Sequence, residues 1–214
     1  MQYFPYGEPR PVQSDFIRDV EHALATKKPL IAHAPTGLGK TVATLAPALK
    51  LAIEKDLTIC FLTSRHTQHL IVQQTIRDIQ TKTGQPIPAV SIVAKKHLCA
   101  QPSAALLPND DFIAYCKSLR ERGACTYYDN TRSGTTVSFP AKNAVDDFQR
   151  ETPVTPEQLV ARGLKDTLCP YELAILLSGK ARVIICDYAY LFNPDILTSF
   201  LAKINKTIDK LIVI

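Results

Sequence analysis

Apolar positions along the chain follow two patterns. TICFLTS (58–64), AVSIVAK (89–95) and the first part of ARVIICDYAYLF (181–192) are short, nearly unbroken apolar runs rich in β-branched residues, as expected of strands buried on both faces. KTVATLAPALKLAIEK (40–55) and QHLIVQQTIRDIQ (68–80) instead place apolar residues at helical spacing. PLIAHA (29–34) is a short apolar run that reads as one more strand, and KLIVI (210–214) as another. Strands alternating with helices predict an α/β fold, a parallel sheet with helices on both faces.

The pattern breaks after residue 96. From His97 to about Gly179 period-two alternation is scarce, and prolines stand at 102, 108, 140, 153, 156 and 170. Only scattered helical pieces remain, such as TPEQLVARGL, where Thr155 is placed to cap a helix opening at Pro156. So long a stretch exceeds what a loop within a compact domain occupies. The division is therefore 1–96, an inserted subdomain at 97–179, and a return to the first unit at 180–214.

At 214 residues and 46% hydrophobic, the chain suffices for one well-buried domain carrying an insertion. No apolar run approaches the roughly 20 residues of a membrane span, and MQYFPYGEPR lacks the apolar core of a secretory signal. The expected location is intracellular: cytoplasm or nucleoid in a prokaryote or archaeon, nucleus in a eukaryote. The net charge of +5 permits a polyanionic partner without requiring one.

HAPTGLGKT (33–41) carries the first chemistry. A glycine-rich turn opening a helix directs backbone N–H groups at one point, where a lysine reaches phosphates and a hydroxyl ligates magnesium. Thr36, Gly37, Leu38, Gly39, Lys40 and Thr41 are the candidate residues for MgATP, with Lys40 and Thr41 nearest the chemistry. Ala34 stands where the usual pattern has glycine, which gives the form A-x-x-G-x-G-K-T of helicases. The loop alone does not fix a function, because kinases, transporters and motors share it.

Six cysteines in a reducing compartment are core thiols, metal ligands or catalysts rather than disulfides. Cys60 and Cys186 lie in apolar strand runs and read as core. Cys99, Cys116, Cys125 and Cys169 all fall in the inserted stretch. They form no C-x2-4-C knuckle of the kind structural zinc prefers. Four isolated thiolates suit a [4Fe-4S] cage, with zinc or unliganded thiols as the alternatives.

Six motifs in order now carry a resemblance: FPYGEPRPVQ (4–13), APTGLGKT (34–41), FLTSRHTQ (61–68), KKHLC (95–99), LCPYELA (168–174) and CDYAYLFNP (186–194). Together with the four cysteines the chain resembles the N-terminal part of the XPD-like DNA helicases, the iron-sulfur branch of superfamily 2 that includes DinG and FANCJ. The resemblance implies a RecA-like P-loop sheet, incomplete at its C-terminal end, interrupted by a mainly helical 4Fe-4S domain. It implies ATP-driven 5′ to 3′ movement on single-stranded DNA, with the cluster domain where fork DNA is parted.

Residue by residue, the resemblance places adenine beside Gln13 and Arg10, with Phe4 or Tyr6 as stacking rings. It places the DNA backbone at Thr63, Arg65 and Thr67, and the cluster on Cys99, Cys116, Cys125 and Cys169. Lys95 and Lys96, then Lys117, Arg120 and Arg122, would line a strand path, with Tyr171 or Tyr128 stacking on a base.

The family sets Asp-Glu-Ala-His after an apolar strand, and this sequence stops on that strand at Leu211–Ile214. The expectation is that these residues alone neither hydrolyse ATP appreciably nor unwind DNA, since phosphoryl transfer depends on such positioned charges. Two other readings stand beside this one: a non-catalytic metal-stapled nucleic-acid-binding module, and a zinc-bearing P-loop ATPase or kinase.

Overall fold

The structure, a computed structural model, describes residues 2–214. The first unit runs α1 (Pro11–Thr26), α2 (Lys40–Glu54), β1 (Thr58–Leu62), α3 (His66–Thr83) and β2 (Ala89–Ser91). Two 3-10 turns, Lys95–Leu98 and Pro102–Leu106, lead into α4 (Asn109–Glu121) and α5 (Thr126–Thr131). A small hairpin, β3 (Arg132–Ser133) and β4 (Thr136–Val137), precedes α6 (Phe139–Arg150), α7 (Pro156–Asp166) and α8 (Pro170–Lys180). The chain then returns through β5 (Val183–Cys186), α9 (Ala189–Phe192), α10 (Pro194–Ile204) and β6 (Leu211–Val213).

β2, β5, β1 and β6 form, in that order, one parallel sheet. Its registers, Ile59 opposite Val183 and Ile212, and Cys60 opposite Ile184 and Val213, set successive side chains on opposite faces. Ile59, Ala89, Val183, Ile185 and Ile212 pack with α1, α2 and α3. Cys60, Leu62, Val90, Ile184 and Cys186 pack on the other face with α6, α7, α8 and α10. This two-sided burial is why the strands read as continuous apolar runs.

PLIAHA is not a strand. Residues 28–35 carry no regular structure, and Ile31 is 98% exposed with Leu30 at 42%. An apolar run becomes a strand only where a neighbouring edge supplies its hydrogen bonds. Among the described residues no strand lies beside it, because β6 forms one edge and β2 the other. The outer edge of β2 is covered by 152–154: Val154 N–H donates to the Ala89 carbonyl at 2.9 Å and Ser91 N–H to the Val154 carbonyl at 2.9 Å.

The stretch 97–179 is not walled off from the sheet. Leu173, Ala174, Ile175 and Leu177 of α8 are buried in the same cluster as Cys60 and Ile184. The Thr155 cap forms as a full capping box with Gln158, Thr155 Oγ1 accepting from Gln158 N–H at 3.3 Å and Gln158 Oε1 from Thr155 N–H at 2.8 Å. No described helix is long and apolar enough to cross a membrane.

Candidate functional site

The glycine turn is held from α1 and by its own lysine. Gly37 and Gly39 adopt φ of 86° and 79°, a region that favours glycine. A Cβ on Gly39 would stand 2.6 Å from Gln13 Nε2. Gln13 Nε2 donates to the Gly39 carbonyl and Arg10 to the Gly37 carbonyl, each at 3.5 Å. The two residues predicted beside adenine are thus brought to the loop. Lys40 opens α2, with its Nζ donating to the carbonyls of Ala34 at 3.2 Å and Pro35 at 3.0 Å. First-turn N–H groups of Lys40 and Thr41 have no intrahelical acceptor, so the helix end offers donors and a partial positive charge to an anion. Phe4 is buried in the core and unavailable for stacking; Tyr6 is half exposed, its hydroxyl donating to Asp78 at 2.7 Å.

The four cysteines of the inserted stretch line one cavity. Cys99 ends a 3-10 turn, Cys116 lies within α4, and Cys125 and Cys169 occupy the N-cap positions of α5 and α8. Phe112, Tyr127, Tyr128 and Tyr171 line it too, with Gln101 and Arg120 among the polar residues, around about 370 Å³ counted out to the opening. Burial pushes the Cys99 thiol up and that of Cys169 up to about 12, so a metal taken up there displaces protons. Gln101 Nε2 donates to Cys125 Sγ at 3.7 Å. Among the described residues, no three His, Cys, Asp or Glu side chains are grouped to hold a single metal ion. Cys60 and Cys186 are core thiols, as expected.

The wall is braced from α5 to α8. Arg132 Nε donates to Glu172 at 2.5 Å, both side chains mostly buried, and Cys169 N–H donates to Thr131 Oγ1 at 2.7 Å. α7 and α8 meet at Gly163, where a Cβ would stand 2.5 Å from Pro170 Cγ and 2.7 Å from the Leu168 carbonyl. Because the second obstacle is backbone beside Cys169, Gly163→Ala is expected to cost about 1–3 kcal/mol in urea unfolding. An unchanged midpoint would show that this junction yields freely.

The DEAD_2 family profile matches residues 59–214, and that of the type III restriction enzyme res subunit matches residues 6–102. The chain belongs to the DEAD_2 family. It is 26% identical to the general transcription and DNA repair factor IIH helicase subunit XPD of Arabidopsis thaliana, over 94% of this chain and 28% of that protein. For the Dictyostelium discoideum XPD subunit the figures are 25%, 91% and 26%. For the regulator of telomere elongation helicase 1 homolog of Caenorhabditis elegans they are 23%, 89% and 21%. The chain therefore spans between a fifth and three tenths of the length of these relatives. Its sheet and helices are those of a RecA-like domain of an XPD-like superfamily 2 helicase.

In this DEAD_2 chain several predicted contacts are displaced. Arg65 and Thr67 are exposed at the start of α3, beyond the carboxyl end of β1. Thr63 is 1% exposed, its hydroxyl donating to Gln68 at 2.5 Å and accepting from Arg65 N–H at 3.3 Å, so that it shapes the turn. Tyr171 is 9% exposed, with Lys95 and Lys203 at 5.1 and 5.7 Å from its ring centre. Stacking a base on it would require displacing those cations. Lys96 is half-buried, Lys117 and Arg122 are exposed, and Arg120 turns inward onto Tyr128.

Two groups carried no signal in the sequence. Lys203 belongs to α10 and lies in none of the motifs. His69 is buried between Ser91 Oγ at 2.5 Å and the Thr63 carbonyl at 3.2 Å, and burial holds its pKa below the usual range.

Proposed function

We propose that these residues form part of the motor of an ATP-dependent DNA helicase of the XPD type, moving 5′ to 3′ on single-stranded DNA. Residues 1–96 and 180–214 serve the motor and 97–179 the domain of a 4Fe-4S cluster. Thr36 to Thr41 receive the phosphates of MgATP, with Lys40 reaching the outer phosphates and Thr41 the metal ion, while Arg10 and Gln13 lie on the adenine side. Arg65 and Thr67, with Lys96 further along, contact the backbone of single-stranded or fork DNA. The 214 residues include no Asp-Glu-Ala-His motif, so nucleotide binding without appreciable hydrolysis or unwinding is expected of them alone.

The supporting observation is that Cys99, Cys116, Cys125 and Cys169, from four separate elements, line one cavity. A zinc ion needs its sulfurs within about 2.3 Å of one point, and these thiols are not grouped for a single ion. Four thiols on separate walls fit the donor set of a cluster, which takes one at each corner. When bound, such a cluster supplies a rigid cross-link and a redox-active centre. Anaerobic purification with iron, sulfide and zinc analysis tests the reading: about four irons and four sulfides per chain are expected for a single [4Fe-4S] centre. A colourless protein holding one zinc would sink it.

A further inference from the structure

On the reading that the four thiols hold an iron–sulfur centre, we propose that Arg120 is a positioning residue for that centre, its Nε–H donating a hydrogen bond to one of the sulfurs. Arg120 follows Cys116 by four residues on α4, so the two share a helix face. Its guanidinium lies 4.2 Å from the Tyr128 ring centre, and one terminal nitrogen donates to the Tyr128 hydroxyl at 3.1 Å. Arg120 lines the cavity, and its Nε is fully buried and without an acceptor.

A buried donor without a partner is rare in a folded protein and asks for an explanation. Nearby, the Glu172 carboxylate is engaged by Arg132. Cys99, Cys116, Cys125 and Cys169 line the same cavity and set four sulfur acceptors on it, beside the Gln101 amide and the Tyr127 hydroxyl. Gln101 already makes this kind of bond to Cys125. Hydrogen bonds to cluster and thiolate sulfurs stabilise the more negative reduced state, and partners of metal ligands hold those ligands in place. Arg120 supplies both a directional donor and a positive charge at that wall, which is a different task from contacting a DNA strand.

The test compares Arg120→Lys, which keeps the charge but not the Nε donor, and Arg120→Gln with the parent full chain, all purified anaerobically. Expected are a midpoint potential more negative than the parent's and iron release to a chelator about tenfold faster, with circular dichroism unchanged. If the parent carries its cluster and both variants keep its potential and release rate, the role of Arg120 is overturned while the cluster reading stands. If the parent holds no iron, the cluster reading fails and this inference with it. Failure of Arg120→Gln to fold leaves the comparison to Arg120→Lys, whose potential decides the matter.

Discussion

Lys40→Ala is expected to weaken binding of a non-hydrolysable ATP analogue by one to two orders of magnitude. Titration of the analogue into the purified chain measures it. The magnitude follows from the interaction that the substitution removes: a hydrogen bond to a charged group contributes about 1.5–3 kcal/mol, and each 1.4 kcal/mol is about tenfold in affinity. In the structure the Lys40 ammonium rests on the carbonyls of Ala34 and Pro35, neutral acceptors that a phosphate oxygen outcompetes through its charge. The substitution leaves Gly37, Gly39 and the first-turn N–H groups in place, so residual binding should persist. In a longer polypeptide that carries these residues together with magnesium-holding carboxylates, ATP turnover should be lost and iron content unchanged. An analogue bound equally well by Lys40→Ala would show that the loop does not cradle phosphate.

Whether a feature was legible in the sequence depended on whether its cause was local. The Thr155 cap needs only residues within one turn, and it forms as read. β1 and β5 were legible because burial on both faces leaves an apolar run that no polar residue interrupts. The strand expected at 29–34 had the same appearance and failed, since its fate rests on a neighbouring edge that no pattern within six residues encodes. The sheet order β2-β5-β1-β6 was equally hidden, being a property of crossovers rather than of any one strand.

The candidate site divides in the same way. Gly37, Gly39 and Lys40 were readable because a phosphate loop is contiguous in the chain. That Arg10 and Gln13 would reach the loop followed from the resemblance rather than from periodicity. That Thr63 and Tyr171 are buried was not legible, because hydroxyls and rings suit both ligand contact and burial, and tertiary packing alone decides between them. Arg120 was placed on a DNA path by the resemblance, yet Tyr128 draws it inward. The boundary near residue 179 was drawn by loss of pattern, whereas α8, apolar on all sides, is buried against the sheet as deeply as any strand.

Cys125→Ser is expected to abolish cluster incorporation and to loosen residues 99–131, whereas Cys60→Ala should leave iron content intact. The contrast follows from what each region buries. Cys60 is surrounded by the sheet's own apolar core, so its removal leaves a small cavity and no change in ligands. The cysteine-bearing stretch has little core of its own: Phe112 alone is buried in α4 and Thr131 alone in α5. Such a segment depends on what its thiols hold. Ligand binding to the folded form alone stabilises it by about 2.7 kcal/mol at a hundredfold excess over Kd. Losing the centre should therefore speed amide exchange across 99–131 by about two orders of magnitude. Exchange in α2 should change little, because its contacts lie in the face formed with α1 and α3. Equal exchange in the parent and Cys125→Ser proteins, with iron retained, would remove Cys125 from the ligand set. Loss of iron in Cys60→Ala would show that the sheet face, rather than the four thiols alone, carries the centre.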